Sequence, residues 1–329
     1  MSDPILSVRD LTVVYRTRRG IVRAVDHVSY DIAKGEVYGL AGESGSGKST
    51  VALALLGLIQ PPGEVVSGEI YVDGRDVRKM TEDELRRFRW ASVAMVFQGA
   101  MNAFNPVMKI GEQLADAMTA HSSISNEEAL KHGRELLTRV GIDEEFAGRY
   151  PHELSGGMRQ RAVIAMSLVL NPKLLVADEP TTSLDVIAQD EVIKMLKSFQ
   201  RDLDLSVLYI THDLAVLAKI ADRIGVMYAG QIVEEGGLNQ LMEKPSHPYT
   251  SALMDAMPSL FGSLRELKGI PGSPPDPDAY PSGCRFHPRC RFAMEKCRSD
   301  EPSPVVVEER HYAACFLLES QGSKGQEKQ

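Results

Sequence analysis

The chain has 329 residues and an ordinary globular composition, with 43% apolar and 25% charged residues. It contains no apolar run near the ~20 residues that a membrane-crossing helix needs, so we expect a soluble chain. The net charge of −8 argues against a general affinity for nucleic acid or anionic lipid, because those partners favour a basic surface. The first residues, MSDP, do not resemble a signal peptide, which favours a cytoplasmic protein that attaches to a membrane only through another protein.

The N-terminal part of the sequence predicts a series of strands. Residues 5–15, 24–32 and 36–41 are separated by polar turns, and a further strand is expected at 68–73. A capping box at 81–84 begins a short helix, and another apolar strand follows at 92–97, directly before Gln98.

A glycine-rich stretch, GESGSGKST at residues 42–50, follows an apolar run and opens an apolar segment, so it lies where a strand turns into a helix. That context is typical of a phosphate-binding loop. Glycines let backbone N–H groups close around phosphate, the helix N-terminus adds its positive dipole end, and Lys48 supplies a cation. The alternative is a flexible glycine turn with a surface lysine. The predicted nucleotide-binding residues here are Gly42, Ser44, Gly45, Ser46, Gly47, Lys48, Ser49 and Thr50, with the Ser49 hydroxyl placed to bind Mg²⁺.

From residue 99 the pattern becomes helical. Amphipathic helices are predicted at 110–120 and, after a second capping box, at 127–140. Helices at 157–170, 186–202 and 214–220 then alternate with unbroken apolar strands at 173–177 and 207–210. This alternation indicates an α/β fold with a parallel sheet buried on both faces.

Two acids, Asp178 and Glu179, follow the apolar strand 173–177. A phosphate loop needs a carboxylate that supports its metal, and Asp178 is placed to reach Mg²⁺ directly or through water. Glu179 can orient and deprotonate an attacking water. The alternative is that the two acids only cap the following helix.

The segment 154–160, LSGGMRQ, opens a helix with two glycines. On structural grounds alone, Ser155 is a helix N-cap and the glycine pair is a tight turn. This segment resembles the signature of the ABC ATPase family. The motifs above occur in the same order as in that family, so the resemblance covers about residues 5–245. The resemblance implies a P-loop NTPase fold with a mainly parallel core sheet, an antiparallel N-terminal β subdomain and an α-helical insert.

The resemblance also implies roles for single residues. Tyr15 stacks on adenine, Gln98 contacts Mg²⁺ and the attacking water, and His212 holds the γ-phosphate. Glu179 is the catalytic carboxylate, and Asp178 supports the metal. From the residues alone, Tyr15 is equally a core aromatic, and a lone His212 favours a structural histidine.

Other residues are expected to act on a second subunit. The resemblance implies that Ser155, Gly156 and Gly157 contact the γ-phosphate held by the partner, while Asp185 lies across the dimer seam. Two positions depart from the family pattern: Met158 replaces a common glutamine, and GA at 99–100 replaces an acid and proline. Neither change removes a group that touches phosphate, so an active site is expected.

All four cysteines, Cys284, Cys290, Cys297 and Cys315, fall in the last 46 residues. Their intervals of 5, 6 and 17 residues are not the close C-x-x-C pairs usual for structural zinc, and disulfides are disfavoured in reducing cytoplasm. Four thiolates in a small loop-rich region suit a 4Fe-4S cluster, with zinc or reduced thiols as alternatives. His287 and His311 are possible substitute ligands, although a solvated loop position is the simpler role for each.

The C-terminal sequence carries a second resemblance. It resembles the ATP-binding subunits of dipeptide and oligopeptide importers, some of which carry an iron–sulfur cluster in this region. The resemblance lies in HPYT at 247–250, a Pro/Gly-rich linker and the CRFHPRC segment at 284–290, and residues 101–111 share it. This implies an ATP-hydrolysing subunit on the cytoplasmic face of the membrane. Its partners would be a second ATPase, which is a paralogue or an identical copy, two transmembrane permease subunits and an extracytoplasmic solute-binding protein, with no nucleic acid.

Alternative functions stay open at this point. Some importers related to the peptide importers transport oligosaccharides and use the same kind of ATPase. A soluble ABC protein that acts on DNA or ribosomes is disfavoured because the chain has neither a long coiled-coil insertion nor two ATPase halves. A regulatory subunit with an inert site is disfavoured by Glu179 and His212.

The predicted organisation has three parts: a nucleotide-binding domain at 1–245 with its helical subdomain at about 99–155, a cysteine-containing domain at 246–319, and a polar, disordered tail at 320–329. The helical insert and the rim around Gln98 are expected to receive coupling helices of the membrane subunits.

Overall fold

A computed structural model of the chain describes residues 3–100, 103–256 and 269–322, with side chains described as far as residue 319. The chain forms two compact units, each assembled from separate stretches of sequence. The first comprises residues 1–7, 31–37 and 71–210, and the second comprises 8–30, 38–70 and 211–329. Within the described residues, none of the helices combines the length and apolar character needed to cross a membrane.

Strands and helices alternate through most of the chain. The strands are β1 (Leu6–Thr17), β2 (Gly20–Ile32), β3 (Val37–Ala41), β4 (Gly63–Val72), β5 (Arg75–Asp76), β6 (Val93–Val96), β7 (Leu174–Asp178), β8 (Ser206–Thr211), β9 (Arg223–Tyr228), β10 (Gln231–Gly237), β11 (Val305–Glu308) and β12 (His311–Ala313). The helices are α1 (Lys48–Leu55), α2 (Glu82–Phe88), α3 (Ile110–Thr119), α4 (Asn126–Arg139), α5 (Gly156–Leu168), α6 (Val186–Leu203), α7 (Leu214–Ile220), α8 (Leu238–Glu243), α9 (Pro248–Asp255), α10 (Lys296–Ser299) and α11 (Phe316–Gly322).

In the first unit, β7 runs parallel to both β6 and β8. Val176 lies opposite Met95 on one side and Leu208 on the other. Every residue of these three strands is buried. Parallel strands covered on both faces are expected to be apolar at successive positions, so the α/β prediction is confirmed.

The predicted helical insert is also present in the first unit, as α3 and α4. Its small core contains Ala115, Met118 and Ala129. The capping box at the start of α4 is formed, because the Ser125 hydroxyl accepts from the Glu128 N–H and the Glu128 carboxylate accepts from the Ser125 N–H. These local signals explain why the predicted helix boundaries agree with the structure to within one residue.

The second unit contains two groups of strands. In one, the order is β2-β1-β4. A two-residue turn separates β1 from β2, which makes this pair an antiparallel hairpin. In the other group the order is β11-β12-β10-β9-β3, where β3 and β9 are parallel and the remaining pairs are antiparallel.

The C-terminal residues extend a sheet of the second unit. β12 pairs with β10, placing Ala313 opposite Glu234 and Tyr312 opposite Glu235. The second unit therefore takes strands from both sides of the boundary predicted at residue 245, and that boundary stays a prediction. The loop-rich region around the cysteines contains two short strands, β11 and β12. β12 pairs with residues about 80 positions earlier in the chain, which local patterns do not reveal.

The predicted disordered tail begins too early. Helix α11 continues to Gly322, so the prediction is wrong for residues 320–322. The helix starts at Phe316, whose ring is buried, and Glu319 forms an ion pair with Lys296 of α10. These contacts support a helix that composition alone does not predict. Residues 323–329 of the predicted tail and residues 101–102 of the importer-like segment lie outside the described residues.

Candidate active site

The phosphate-binding loop joins β3 to α1, as the sequence predicts, and its glycines are required by its shape. Gly42, Gly45 and Gly47 have φ values of 150°, 81° and 104°. A Cβ on Gly42 would lie 2.2 Å from the carbonyl oxygen of Met227, and one on Gly47 would lie 2.2 Å from that of Ala24. A backbone oxygen has nowhere to move, so two of the three positions exclude any side chain.

Lys48 is buried within the loop rather than extended into solvent. Its Nζ donates to the carbonyl oxygens of Gly42 at 2.8 Å and Glu43 at 2.9 Å, and to Ser46 Oγ at 3.2 Å. No side chain caps the N-terminus of α1, because its N-cap residue is Gly47. The N–H groups of a helix's first turn and a lysine at the same end provide the chemistry of an anion site. Ser49 is exposed and Thr50 is half-buried in the first turn of α1.

Gln98 and Glu179, both in the first unit, are brought together by the structure. Glu179 Oε2 accepts from Gln98 Nε2 at 3.2 Å and from Thr182 Oγ1 at 2.9 Å. Glu179 has a φ of 47°, and its N–H donates to the carbonyl oxygen of Ile210 at 2.9 Å. Left-handed backbone at a bulky residue is costly and often occurs at functional sites. Asp178, the last residue of β7, is 3% exposed.

The residues expected to face a second subunit lie at two helix N-termini of the first unit. Ser155 Oγ accepts from the Met158 N–H at 3.3 Å and caps α5, as the structural alternative predicted. Asp185 Oδ1 accepts from the N–H groups of Ile187 at 3.0 Å and Ala188 at 2.9 Å, and so caps α6. Gly156 is exposed, and a Cβ on Gly157 would lie 3.1 Å from Ala188 Cβ, so α5 and α6 approach closely there.

Tyr15 and His212 belong to the second unit. Tyr15 lies in β1 and is half-buried, and its ring edge would be 2.7 Å from a Cβ placed on Gly63. His212 is exposed and directly follows β8. The roles assigned to both residues remain predictions.

The four cysteines line one small cavity in the second unit. Its other walls are mostly apolar: His247, Pro248, Phe286, His287, Phe292, Pro302, Phe316 and Leu317. Burial raises the pKa of the Cys284, Cys290 and Cys315 thiols, that of Cys315 to about 11, and the neighbouring thiols raise it further. An apolar wall and several nearby sulfurs disfavour thiolates unless a cation compensates them.

Each cysteine sulfur also receives a backbone N–H. The donors are Phe286 for Cys284, Phe292 for Cys290, Leu317 for Cys315 and, at 3.4 Å, Met294 for Cys297. Hydrogen bonds of this kind favour the thiolate, which is the form that binds metals. Within the described ranges, however, no group of three or more His, Cys, Asp or Glu side chains is arranged so that it could hold a metal ion.

The two histidines considered as substitute ligands have other partners. His311 is 2% exposed, its Nε2 lies 2.8 Å from Glu234 Oε1, and it is not among the residues that line the cysteine cavity. The expectation of a solvated loop histidine is therefore wrong for His311, because β12 buries it. His287 lines the cavity, and its Nδ1 lies 3.0 Å from the carbonyl oxygen of Cys284.

Two arginines beside cysteines form ion pairs that the sequence analysis missed. Arg289 binds Glu43 of the phosphate-binding loop, with Nη1–Oε2 at 2.6 Å and Nη2–Oε1 at 3.0 Å. Arg285 pairs with buried Asp26 of β2 and donates to the carbonyl oxygen of Ala229 at 2.5 Å. In the sequence, each of these arginines stands next to a cysteine at one end of the CRFHPRC segment. That pattern does not reveal which acid pairs with either arginine.

Comparison with known proteins finds two matching family models and many relatives. The ABC transporter family matches residues 25–182, and the C-terminal region of the oligopeptide/dipeptide transporters matches residues 233–297. The chain is 44% identical over 324 residues to the oligopeptide transport ATP-binding protein OppD of Bacillus subtilis (strain 168), an alignment that covers 97% of this chain and 90% of that protein. It is 41% identical over 318 residues to the dipeptide transport ATP-binding protein DppD of the same organism, covering 96% and 95%.

Solved structures resemble the chain as well. The dimeric bacterial ABC transporter cassette MJ0796 superimposes with a TM-score of 0.64 at 30% identity, covering 71% of this chain and 98% of the cassette. CbiO1 from Clostridium perfringens, part of an ABC transporter complex, gives a TM-score of 0.65 at 27% identity, covering 74% and 92%.

Proposed function

The chain belongs to the ATP-binding proteins of the oligopeptide and dipeptide ABC transporters, and we propose that it powers the uptake of short peptides across the cytoplasmic membrane. It is an ABC ATPase that couples the hydrolysis of ATP, bound with Mg²⁺, to transport. The observation that carries the peptide assignment is the 44% identity to an oligopeptide transport protein along 97% of the chain, cysteine segment included. The sequence shared with that protein therefore extends well beyond the ATPase motifs.

We infer the following division of labour within the chain. The N–H groups of residues 42–50 and the ammonium of Lys48 hold the phosphates. Mg²⁺ would be held through the hydroxyl of Ser49, the amide oxygen of Gln98 and the carboxylate of Asp178, the kinds of oxygen that it prefers. When bound, it would offset negative charge on the phosphates. Glu179 orients the attacking water and accepts its proton. The hydrogen bond from Gln98 to Glu179 supports this role because it fixes the carboxylate.

Tyr15 stacks on the adenine ring, and His212 holds the γ-phosphate. Phosphoryl transfer depends on positioning and charge stabilisation, so small errors in the placement of these groups slow the hydrolysis of ATP. Tyr15 lies on β1 and His212 directly follows β8, which supports a fixed position for each.

The working assembly in this proposal is a head-to-tail pair of ATPase subunits. Ser155, Gly156 and Gly157 contact the γ-phosphate held by the partner, and Asp185 lies at the seam. The apolar side chains of Val186 and Ile187, next to Asp185, are 73% and 76% exposed, which supports a covered surface here. The second ATPase is a paralogue or an identical copy. Two permease subunits and an extracytoplasmic binding protein complete the transporter.

The test combines peptide uptake with ATP turnover. Cells that lack the chain are complemented with the wild type, Glu179→Gln or Glu82→Gln, an exposed acid at the start of α2 that serves as the control. We expect wild type and Glu82→Gln to restore uptake of a labelled oligopeptide. Glu179→Gln should bind ATP but lose roughly 10²–10⁴-fold in turnover, the usual contribution of a general base. Restored uptake of oligosaccharide instead of peptide would contradict the substrate class, and normal turnover in Glu179→Gln would contradict the role of the carboxylate.

We also propose that the four cysteines, which line one cavity but among the described residues form no metal-holding group, close around a 4Fe-4S cluster when it is inserted. The support is their convergence on one cavity, the lack of a carboxylate among the described residues that line it, and the N–H donor at each sulfur. A bound cluster would cross-link the cysteine segment, residues 284–315, through its iron atoms. Protein purified without oxygen should contain about four iron and four sulfide per chain, and Cys315→Ser should lower both. Colourless protein with one zinc per chain would contradict this proposal and favour zinc.

A further inference from the structure

Glu43, the second residue of the phosphate-binding loop, is held by the protein at every polar group. Its carboxylate receives both Nη atoms of Arg289. Its N–H donates to Tyr249 Oη at 2.9 Å, and its carbonyl oxygen accepts from Lys48 Nζ at 2.9 Å and from the Ser46 N–H at 3.2 Å. The same residue therefore contacts the loop lysine on one side and the C-terminal part of the chain on the other.

Arg289 is well suited to fix a carboxylate. Its side chain is 5% exposed, and Nε donates to the carbonyl oxygen of Pro271 at 2.9 Å while the two Nη atoms face Glu43. A planar guanidinium that is anchored at Nε and bidentate at its other end holds its partner in one orientation. Arg289 directly precedes Cys290, so the position of this clamp depends on the cysteine segment.

Tyr249 provides a second link of the same kind. Its ring is completely buried and packs against Tyr228 at 4.5 Å and Phe286 at 5.3 Å between ring centroids. Phe286 lies between Cys284 and Cys290 and forms part of the cavity wall. Both contacts to Glu43, from Arg289 and from Tyr249, therefore lead to the residues that surround the cysteines.

We propose that Arg289 and Tyr249 are positioning residues for ATP binding, through which the cysteine segment keeps the phosphate-binding loop in its binding shape. Neither residue touches nucleotide in this proposal. Without the clamp, the loop occupies its binding shape for a smaller fraction of the time, and the apparent dissociation constant rises in inverse proportion. A charge-assisted hydrogen bond of this kind corresponds to a roughly 10- to 100-fold change.

The experiment measures the affinity of the full-length chain for ATP with Mg²⁺. Arg289→Met, Glu43→Gln and the double variant form a double-mutant cycle. Arg291→Met is the matched control, because Arg291 flanks Cys290 on the other side and its guanidinium lies exposed over the Phe292 ring. We expect Arg289→Met to weaken ATP binding roughly 10- to 100-fold, the double variant to be no weaker than Arg289→Met, and Arg291→Met to bind as the wild type does. Unchanged affinity in Arg289→Met, or fully additive effects, would overturn the proposal.

A second measurement separates positioning from a merely structural role. Tyr249→Phe keeps the buried ring and removes only the acceptor of the Glu43 N–H. We expect it to weaken ATP binding severalfold in protein that is folded by circular dichroism. A residue that serves stability alone would lower the unfolding midpoint and leave the affinity of the folded chain unchanged, which would contradict the assignment of Tyr249.

The inference rests on the proposed role of residues 42–50 in holding ATP, and Lys48→Ala distinguishes the two. If Lys48→Ala binds ATP as tightly as the wild type, the proposed site itself is wrong. If Lys48→Ala abolishes binding while Arg289→Met leaves it unchanged, the site stands and the clamp is wrong.

Discussion

The phosphate-binding loop and the cysteine segment obtain their shapes in different ways. The features that identify the loop lie within residues 42–50, because Lys48 hydrogen-bonds to groups only two, five and six residues away and the glycines supply the unusual φ values. Contacts from Ala24, Met227 and Arg289 then hold the loop in place. The cysteine segment depends on partners far along the chain, since Arg285 and Arg289 pair with acids 259 and 246 residues earlier. A motif of the first kind can be recognised in sequence, whereas the contacts of the second kind need the structure.

The largest expected effect tests whether the shape of the loop requires glycine at position 47. Gly47→Ala should abolish measurable ATP binding, because the new Cβ would meet the Ala24 carbonyl oxygen at 2.2 Å in a backbone with φ 104°. Gly45→Ala is the matched control: its φ of 81° is also unfavourable, but no atom of the described residues lies within 4 Å of the added Cβ. Gly45→Ala should cost only about 1–3 kcal/mol of stability. Equal ATP affinities of the two variants, measured by titration, would show that the close approach at Gly47 does not shape the loop.

The same contrast explains which parts of the molecule the sequence could predict. The capping boxes at Thr81 and Ser125, the strand-to-helix position of the loop and the buried strand before Asp178 all follow from neighbouring residues, and all are confirmed. Local periodicity and capping act over a few residues, so one sequence contains the necessary information.

The cysteine segment illustrates what local patterns do not contain. Strands β11 and β12 were not predicted, because their pairing with β10 is long-range. Glu43 looked like an ordinary loop residue, and no spacing rule connects it with Arg289. Likewise, the burial of His311 beside Glu234 depends on that strand pairing. The sequence located the cysteines, but their cavity and its hydrogen-bond donors required the fold.

A second prediction tests how strongly the cysteine segment depends on a distant partner. Arg285→Met should lower the free energy of unfolding by about 3–5 kcal/mol, because it leaves the carboxylate of Asp26, 3% exposed, without its buried counter-charge. Urea unfolding followed by circular dichroism measures the effect. Adding Asp26→Asn should recover much of the loss, since the uncompensated charge is then gone.

The control for this prediction is an ion pair on the surface of the same unit. Arg16 and Glu64 lie 3.0 Å apart with their side chains 60% and 54% exposed. Solvent screens such pairs, so Arg16→Met should cost less than about 1 kcal/mol. A similar small loss for Arg285→Met would mean that the segment keeps its place without the Asp26 contact.

The smallest expected change in stability comes from replacing a helix N-cap serine. Comparing Ser155 with Ser125 separates the capping role that both share from a role of Ser155 toward a partner subunit. Ser155 and Ser125 are both helix N-caps, with Oγ–N distances of 3.3 Å to Met158 and 3.2 Å to Glu128. Replacing either serine by alanine should therefore cost about 1 kcal/mol in urea unfolding. Only Ser155→Ala should also lower ATP turnover in the assembled transporter, by at least about tenfold, because its hydroxyl is proposed to act on the γ-phosphate of the partner. If both variants hydrolyse ATP as the wild type does, Ser155 is an N-cap and nothing more, and the contact with the partner's phosphate must come from the glycines that follow it.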